Sequence, residues 1–216
     1  MISTASMTRF TVAALGNKRR ALLKFSATLT ISAVAVTCFW GQALAQSAPK
    51  VKFVTTEGEF VVEVYPDKAP KTVENFLQYV KDKHYDGTIF HRVINNFMVQ
   101  GGGFDAAYAQ KPTRAPVAHE GREALAKGGA KNVEGTLAMA RTNDPNSASS
   151  QFFINVKDND FLNPTSQAYG YTVFGKVISG MDVVNKIKAV PTGSGGPFST
   201  DVPKTPVLVK SASLVN

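Results

Sequence analysis

From Val51 to Leu214 the chain is a succession of short stretches rich in β-branched and aromatic residues, broken by only two segments of helical periodicity. Val51–Thr56, Glu59–Tyr65, Thr88–Ile94, Phe97–Gln100, Thr136–Arg141, Gln151–Val156, Thr172–Ile178 and Pro206–Leu214 have the length and composition of strands. With no alternating strand–helix rhythm, this series predicts a mainly β domain, closed as an antiparallel barrel. Glu57-Gly58 separates the first two stretches and marks a hairpin. Phe60, Val62 and Val64 fall on one face of the second. The first helix is expected over Pro70–Lys83: Pro70 suits its opening turn, and Val73, Phe76, Leu77 and Val80 form one apolar stripe. The second is expected over Asp182–Lys188. Gly101–Gly103 is expected to stop the fourth strand, residues 104–132 to form a long connection, and Gly193–Pro197 to form a loop.

The first 45 residues follow a different logic. Lys18, Arg19, Arg20 and Lys24 precede an uncharged, mostly apolar run from Phe25 to Trp40, and Ala43-Leu44-Ala45 supplies a small-x-small site. That order is the signature of a secretory signal peptide, with cleavage expected after about Ala45 and residues 46–216 forming one domain. Serines and threonines within the run make it a poor membrane span, so no membrane association is expected after cleavage. The leader also distorts the charge. The whole chain carries +8, but five of its 24 Lys and Arg and none of its 16 acids lie in residues 1–45, leaving +3 for the remainder. Such a balance does not suggest nucleic-acid binding. Cys38, the single cysteine, and Trp40 leave with the leader, which suits an oxidising compartment and excludes an internal disulfide.

Two clusters stand out chemically. In Phe90-His91-Arg92-Val93-Ile94, alternation places Phe90, Arg92 and Ile94 on one face, so a charge sits among large apolar residues. A packed ion pair would account for that arrangement, since a buried charge is normally paired. In Gln151-Phe152-Phe153-Ile154-Asn155 an amide lies beside aromatic residues, as Gln100 does after Phe97-Met98-Val99. These are either satisfied strand-end glutamines or the fixed donors of an apolar groove for an extended peptide.

Phe90–Ile94, Phe97–Gly102, Gly135-Thr136-Leu137-Ala138-Met139-Ala140, Ser150–Ile154 and Val173-Phe174-Gly175-Lys176-Val177, in that order, resemble the cyclophilin-type peptidyl-prolyl cis-trans isomerases, most of all the short bacterial periplasmic members. The resemblance spans about Val51–Asn216. It implies an eight-stranded antiparallel barrel capped by two helices, and acceleration of X-Pro rotation in exported polypeptides. It also implies Arg92 as the catalytic residue; Phe97, Met98, Phe153 and Leu162 around the proline ring; Gln100 and Gln151 as polar contacts; and backbone groups of Ala140 and Arg141 beside the preceding residue. Phe161 and Tyr171 are implied as further substrate-binding residues; they and Arg141 stand where many members have tryptophan, histidine and asparagine. Weak cyclosporin binding is therefore expected, because Phe161 has no indole N–H.

The reaction suits this composition. Rotation about a peptide bond faces a barrier of ~18–20 kcal/mol from C–N resonance, and lowering it needs no nucleophile. No cofactor is expected. His84, His91 and His119 match no compact metal-ligand spacing, and His91, inside a strand, reads as a core residue. A peptide-holding module would use the same groove without catalysis. The expected partners are proline-containing unfolded or extended polypeptides, and the expected state is a periplasmic monomer.

Overall fold

The computed structural model describes residues 48–215; the signal peptide expected over residues 1–45 lies outside the described residues. Ten strands, three α-helices and one 3-10 turn follow in the order β1 (Lys50–Thr55), β2 (Glu59–Val64), α1 (Pro70–Lys81), β3 (Thr88–Ile94), β4 (Met98–Asp105), α2 (Gly121–Ala126), β5 (Thr136–Met139), β6 (Phe152–Asn155), the 3-10 turn (Asp160–Leu162), β7 (Val173–Ser179), α3 (Met181–Lys188), β8 (Thr192–Gly195), β9 (Phe198–Pro203) and β10 (Val209–Val215). Eight strands form one curled antiparallel sheet in the order β10-β1-β2-β7-β5-β6-β4-β3.

The sheet is an open half-barrel, not the closed barrel expected. Its outer strands β10 and β3 approach each other but share no continuous ladder. They meet through an isolated bridge between Ile89 and Leu208 and through the bonds Gly87 N–H to Val209 O (2.9 Å) and Phe90 N–H to Val207 O (3.0 Å). One cause lies at the seam: β3 is distorted by register shifts on both sides of Phe90.

Alternation fills the inside of the sheet as the sequence implies. Phe60, Val62 and Val64 are buried together. Phe53 stacks on Phe60 with centroids 5.0 Å apart, and Phe76 brings α1 into the same core, 5.0 Å from the Phe174 ring. The α1 stripe is rotated slightly from the expected one: Thr72 and Tyr79 are buried with Val73, Phe76 and Val80, and Leu77 is only half-buried. Each such ring buries a large apolar area and so contributes strongly to the core's stabilisation.

Three expectations fail for local reasons. Gly101–Gly103 does not stop β4, which runs on to Asp105. Glycine is needed there to admit neighbours: at Gly102, whose φ is +87°, a Cβ would lie 2.8 Å from the Tyr85 ring and 3.0 Å from Ser150 O. Residues 104–132 contain α2, a six-residue helix too short to show a periodic stripe. The expected loop at Gly193–Pro197 is largely the β8–β9 hairpin, a separate two-stranded sheet laid against β3. Its glycines let Tyr108 close onto the turn, where a Cβ at Gly195 would meet the Tyr108 hydroxyl at 2.7 Å.

Candidate active site

A second apolar cluster forms on the outer face of the same strands. Met98, Ala138, Phe153, Leu162 and Val173 are buried there, with Ile94, Phe97, Ala140 and Tyr171 partly buried around them. Period-2 alternation is the cause. Val99, Leu137 and Phe152 point into the sheet, so their neighbours Met98, Ala138 and Phe153 point out. The cluster floors a cleft of about 390 Å³ lined also by His91, Arg92, Gln100, Phe104, Arg141, Gln151 and Phe198.

Arg92 reaches this cleft because β3 is bulged. Phe90 pairs with Gly101 and Arg92 with Gln100, so two steps on β3 match one step on β4 and His91 is the extra residue. Phe90 therefore faces the core, whereas Arg92 faces the cleft with Ile94. The expected shared face of Phe90 and Arg92 is thus corrected. Arg92 is also not packed as a buried ion pair. Its side chain is 45% exposed, and its carboxylate neighbour, Asp201 Oδ2, lies 4.0 Å from Nε.

Beside Arg92, Gln100 donates from Nε2 to Gln151 Oε1 at 3.0 Å. Across the floor Phe153 and Tyr171 meet edge to face at 5.4 Å. Arg141 forms one wall. Its Nε and Nη2 donate to Gly170 O at 3.0 and 2.8 Å, its Nη1 donates to Thr142 O at 2.8 Å, and its guanidinium lies 4.7 Å over the Tyr171 ring. Ala140 N–H donates to Gln151 O at 3.0 Å, so of its two backbone groups the carbonyl remains for a ligand. Phe161 is separate from the cleft lining: it is 74% exposed and stacks on the rim residue Phe97 at 5.7 Å.

A buried asparagine network stands behind the floor. Asn159 Nδ2 donates to Phe97 O and to Asn155 Oδ1, Asn155 Nδ2 donates to Asn132 Oδ1, and Asn132 Nδ2 donates to Leu162 O. The backbones of Phe97 and Leu162, both in the cleft lining, are thereby tied to one rigid unit.

His91, Phe104 and Phe198 line the cleft without having been expected there. His91 is buried, 4.8 Å from the Phe104 ring and 5.5 Å from the Phe198 ring. Burial first, and then the adjacent Arg92 cation, push its imidazole down to about 4, against an opposing contribution from the Ile89 backbone. It is neutral at pH 7 and adds no second cation beside Arg92. Phe104 reaches the cleft because β4 continues past its glycines, and Phe198 because the β8–β9 hairpin carries it there. His84 and His119 lie apart from His91, with Nε2 atoms 3.2 Å from Gly102 O and 3.3 Å from Gly170 O. Among the described residues no three His, Cys, Asp or Glu side chains gather as metal ligands.

Comparison with known proteins places the chain in a family. Residues 50–214 match the family described as cyclophilin type peptidyl-prolyl cis-trans isomerase/CLD. The chain is 52% identical over 167 residues to peptidyl-prolyl cis-trans isomerase B of Escherichia coli, covering 76% of this chain and 98% of that one. It is 54% identical over 168 residues to a peptidyl-prolyl cis-trans isomerase of Streptomyces antibioticus, with the same coverage of 76% and 98%. Among solved structures, a Cryptosporidium parvum cyclophilin type peptidyl-prolyl cis-trans isomerase in the presence of the dipeptide Ala-Pro superposes with a TM-score of 0.60 at 25% identity, over 77% of this chain and 99% of that one. By family match, by identity over nearly the full length of its relatives and by fold, the chain belongs to the cyclophilin-type peptidyl-prolyl cis-trans isomerases and is an enzyme of that activity.

Proposed function

We propose that the outer-face cleft holds an extended X-Pro segment and that Arg92 is the group that speeds its rotation. The observation that carries this reading is the half-exposed guanidinium of Arg92, with its nearest carboxylate 4.0 Å away, at the rim of an apolar floor. Met98, Phe153 and Leu162 would hold the pyrrolidine ring still, with Phe97 and Tyr171 at the sides. Gln100 and Gln151 would fix the chain, and Ala140 and Arg141 would border the residue before proline. Arg92 N–H groups donate to the proline carbonyl and favour a pyramidal prolyl nitrogen, whose lone pair then leaves conjugation with the preceding carbonyl. Such a bond accelerates rotation only by being stronger in the twisted state than in either planar isomer. A 10⁶-fold gain requires roughly 8 kcal/mol of that difference. The partly dry pocket strengthens the charged bond, and immobilising the ring removes competing orientations.

The substrates in this reading are exported, proline-containing polypeptides, whose folding the enzyme assists in the periplasm as a monomer. The order of the first 45 residues supports export, and the family match begins only at residue 50. Cyclosporin binds weakly, because the exposed Phe161 offers a ring and no donor.

The test uses purified 46–216 and a proline peptide whose trans form alone is cut by a helper protease. The parent speeds cis-to-trans conversion, Arg92→Ala loses nearly all of the gain, and Arg92→Lys recovers little because lysine has no planar fork. Near-parental turnover by a folded Arg92→Ala would overturn the assignment, and a folded but inactive parent that still retains unfolded chains would point to a peptide-holding module.

A further inference from the structure

The β8–β9 hairpin brings one carboxylate to the cleft. Asp201 lies in β9, and its Oδ2 is 4.0 Å from Arg92 Nε, the sole ion pair of Arg92 among the described residues. Thr200 Oγ1 donates to the same Oδ2 at 3.2 Å, which limits the rotation of the carboxylate. The hairpin is itself well anchored. Phe198 packs on His91 and, edge to face, on Phe104 at 5.1 Å, while Tyr108 closes against Gly195 and Gly196.

The backbone at this residue is unusual. Asp201 has φ +66°, in the left-handed region that most side chains avoid. Aspartate tolerates that region better than most residues, but glycine would adopt it without cost. Nothing in the hairpin's own packing requires a carboxylate there. Residues held in sparsely populated conformations persist where the surroundings impose them, and they cluster at functional sites.

We propose that Asp201 is a positioning residue for Arg92: it attracts the Nε edge of the guanidinium and so turns the two terminal nitrogens toward the substrate carbonyl. The proposal rests on the reading of Arg92 as the catalytic residue. At 4.0 Å the contact is longer than a hydrogen bond, so Asp201 orients the cation through its charge without neutralising it. Arg92 has many rotamers, and a guanidinium that is nearly half exposed loses productive orientations if nothing restrains it.

The test compares the parent with Asp201→Asn, Asp201→Gly, Arg92→Ala, Arg92→Lys and the Arg92→Lys, Asp201→Asn double variant in the protease-coupled assay. Asparagine keeps the shape and tolerates the same φ but has no charge. Its kcat/KM falls about two- to fivefold, the range of exposed ion pairs, with the loss in kcat, KM nearly unchanged and Tm unchanged. The gap between parent and Asp201→Asn narrows as salt is raised from about 0.01 M to about 1 M, where the Debye length falls from roughly 30 to 3 Å. Asp201→Gly relieves the strained φ, so it loses activity without losing Tm, an outcome that a purely structural role would reverse. In an Arg92→Lys background the further effect of Asp201→Asn shrinks. An Asp201→Asn protein with unchanged or raised kcat/KM at low salt overturns this proposal alone. A fully active Arg92→Ala overturns the reading beneath it as well.

Discussion

Gln100 and Gln151 are joined side chain to side chain across β4 and the start of β6, Nε2 to Oε1 at 3.0 Å. They thereby fix each other's remaining donors and acceptors toward the cleft, at the cross-strand partner of Arg92. Gly103 guards the pair: a Cβ there would lie 2.5 Å from Gln151 Cγ and 2.7 Å from its Nε2. Gln151→Leu is expected to lower kcat/KM about three- to tenfold, the equivalent of one lost hydrogen bond. Gly103→Ala, which touches no substrate, should act in the same direction by displacing Gln151. Both are read from initial rates on the proline peptide, with Tm as the control for folding; parental rates in Gly103→Ala would show that the Gln151 position is not critical.

His91 predicts a pH dependence of stability. Its folded-state value is about 4 against 6.5 for the free side chain, so between these limits the unfolded chain binds a proton that the folded protein refuses. Unfolding is therefore favoured as pH falls. The contribution is fully present above about pH 6.5 and is lost progressively toward pH 4, to a total of about 3 kcal/mol. His84 and His119 are also lowered by burial, so they act in the same direction. Urea unfolding at pH 7 and pH 4.5 should show a smaller difference for His91→Phe than for the parent. An equal difference in the two proteins would mean that the His91 imidazole is protonated in the folded state.

Much of this architecture is legible before folding because it depends on period and spacing. The faces of β2, the hairpin at Glu57-Gly58 and the existence of α1 and α3 follow from residues a few positions apart. The outer floor follows as well, since Met98 and Phe153 sit one step from core positions. The missed features depend on partners distant in sequence. The His91 bulge is set by β4, and without it alternation puts Phe90 and Arg92 on the same face. The glycines of β4 look like a stop until Tyr85, Ser150 and Gln151 are seen to fill the space beside them. The β8–β9 hairpin has almost no apolar alternation. Tyr108, Phe104 and His91 hold it, and none of these lies within eighty residues of it in sequence.

Helix α1 shows the same dependence on distant partners. Its N-cap residue, Ala69, has no side chain able to cap. Glu120, 48 residues away from Thr72, does so instead: Oε1 accepts from Lys71 N–H at 3.1 Å, and Oε2 accepts from Thr72 N–H at 2.8 Å and Thr72 Oγ1 at 2.7 Å. The carboxylate is buried and also meets the positive end of the helix dipole. Glu120→Ala leaves two backbone donors unpaired, so it should cost roughly 1–3 kcal/mol. Glu120→Gln, which keeps one acceptor oxygen, should cost less. Equilibrium urea unfolding measures both. Equal stability of parent and alanine variant would mean that water satisfies these amides as well as the carboxylate does.

Phe161 offers a gain-of-function test. It is exposed beside the pocket and already stacked on Phe97, so a larger ring can be accommodated without displacing core residues. Phe161→Trp keeps the stack and adds an Nε1–H directed from the rim. Cyclosporin should then bind about two- to tenfold more tightly, as expected for one added neutral hydrogen bond. Turnover of a short proline peptide should change little, because Phe161 does not line the cleft. Titration calorimetry on the parent and the variant decides the matter. Nanomolar binding by the parent would show that an indole donor is not needed at this rim, whereas equally weak binding by both proteins would place the obstacle elsewhere, with Arg141 stacked over Tyr171 the next residue to change.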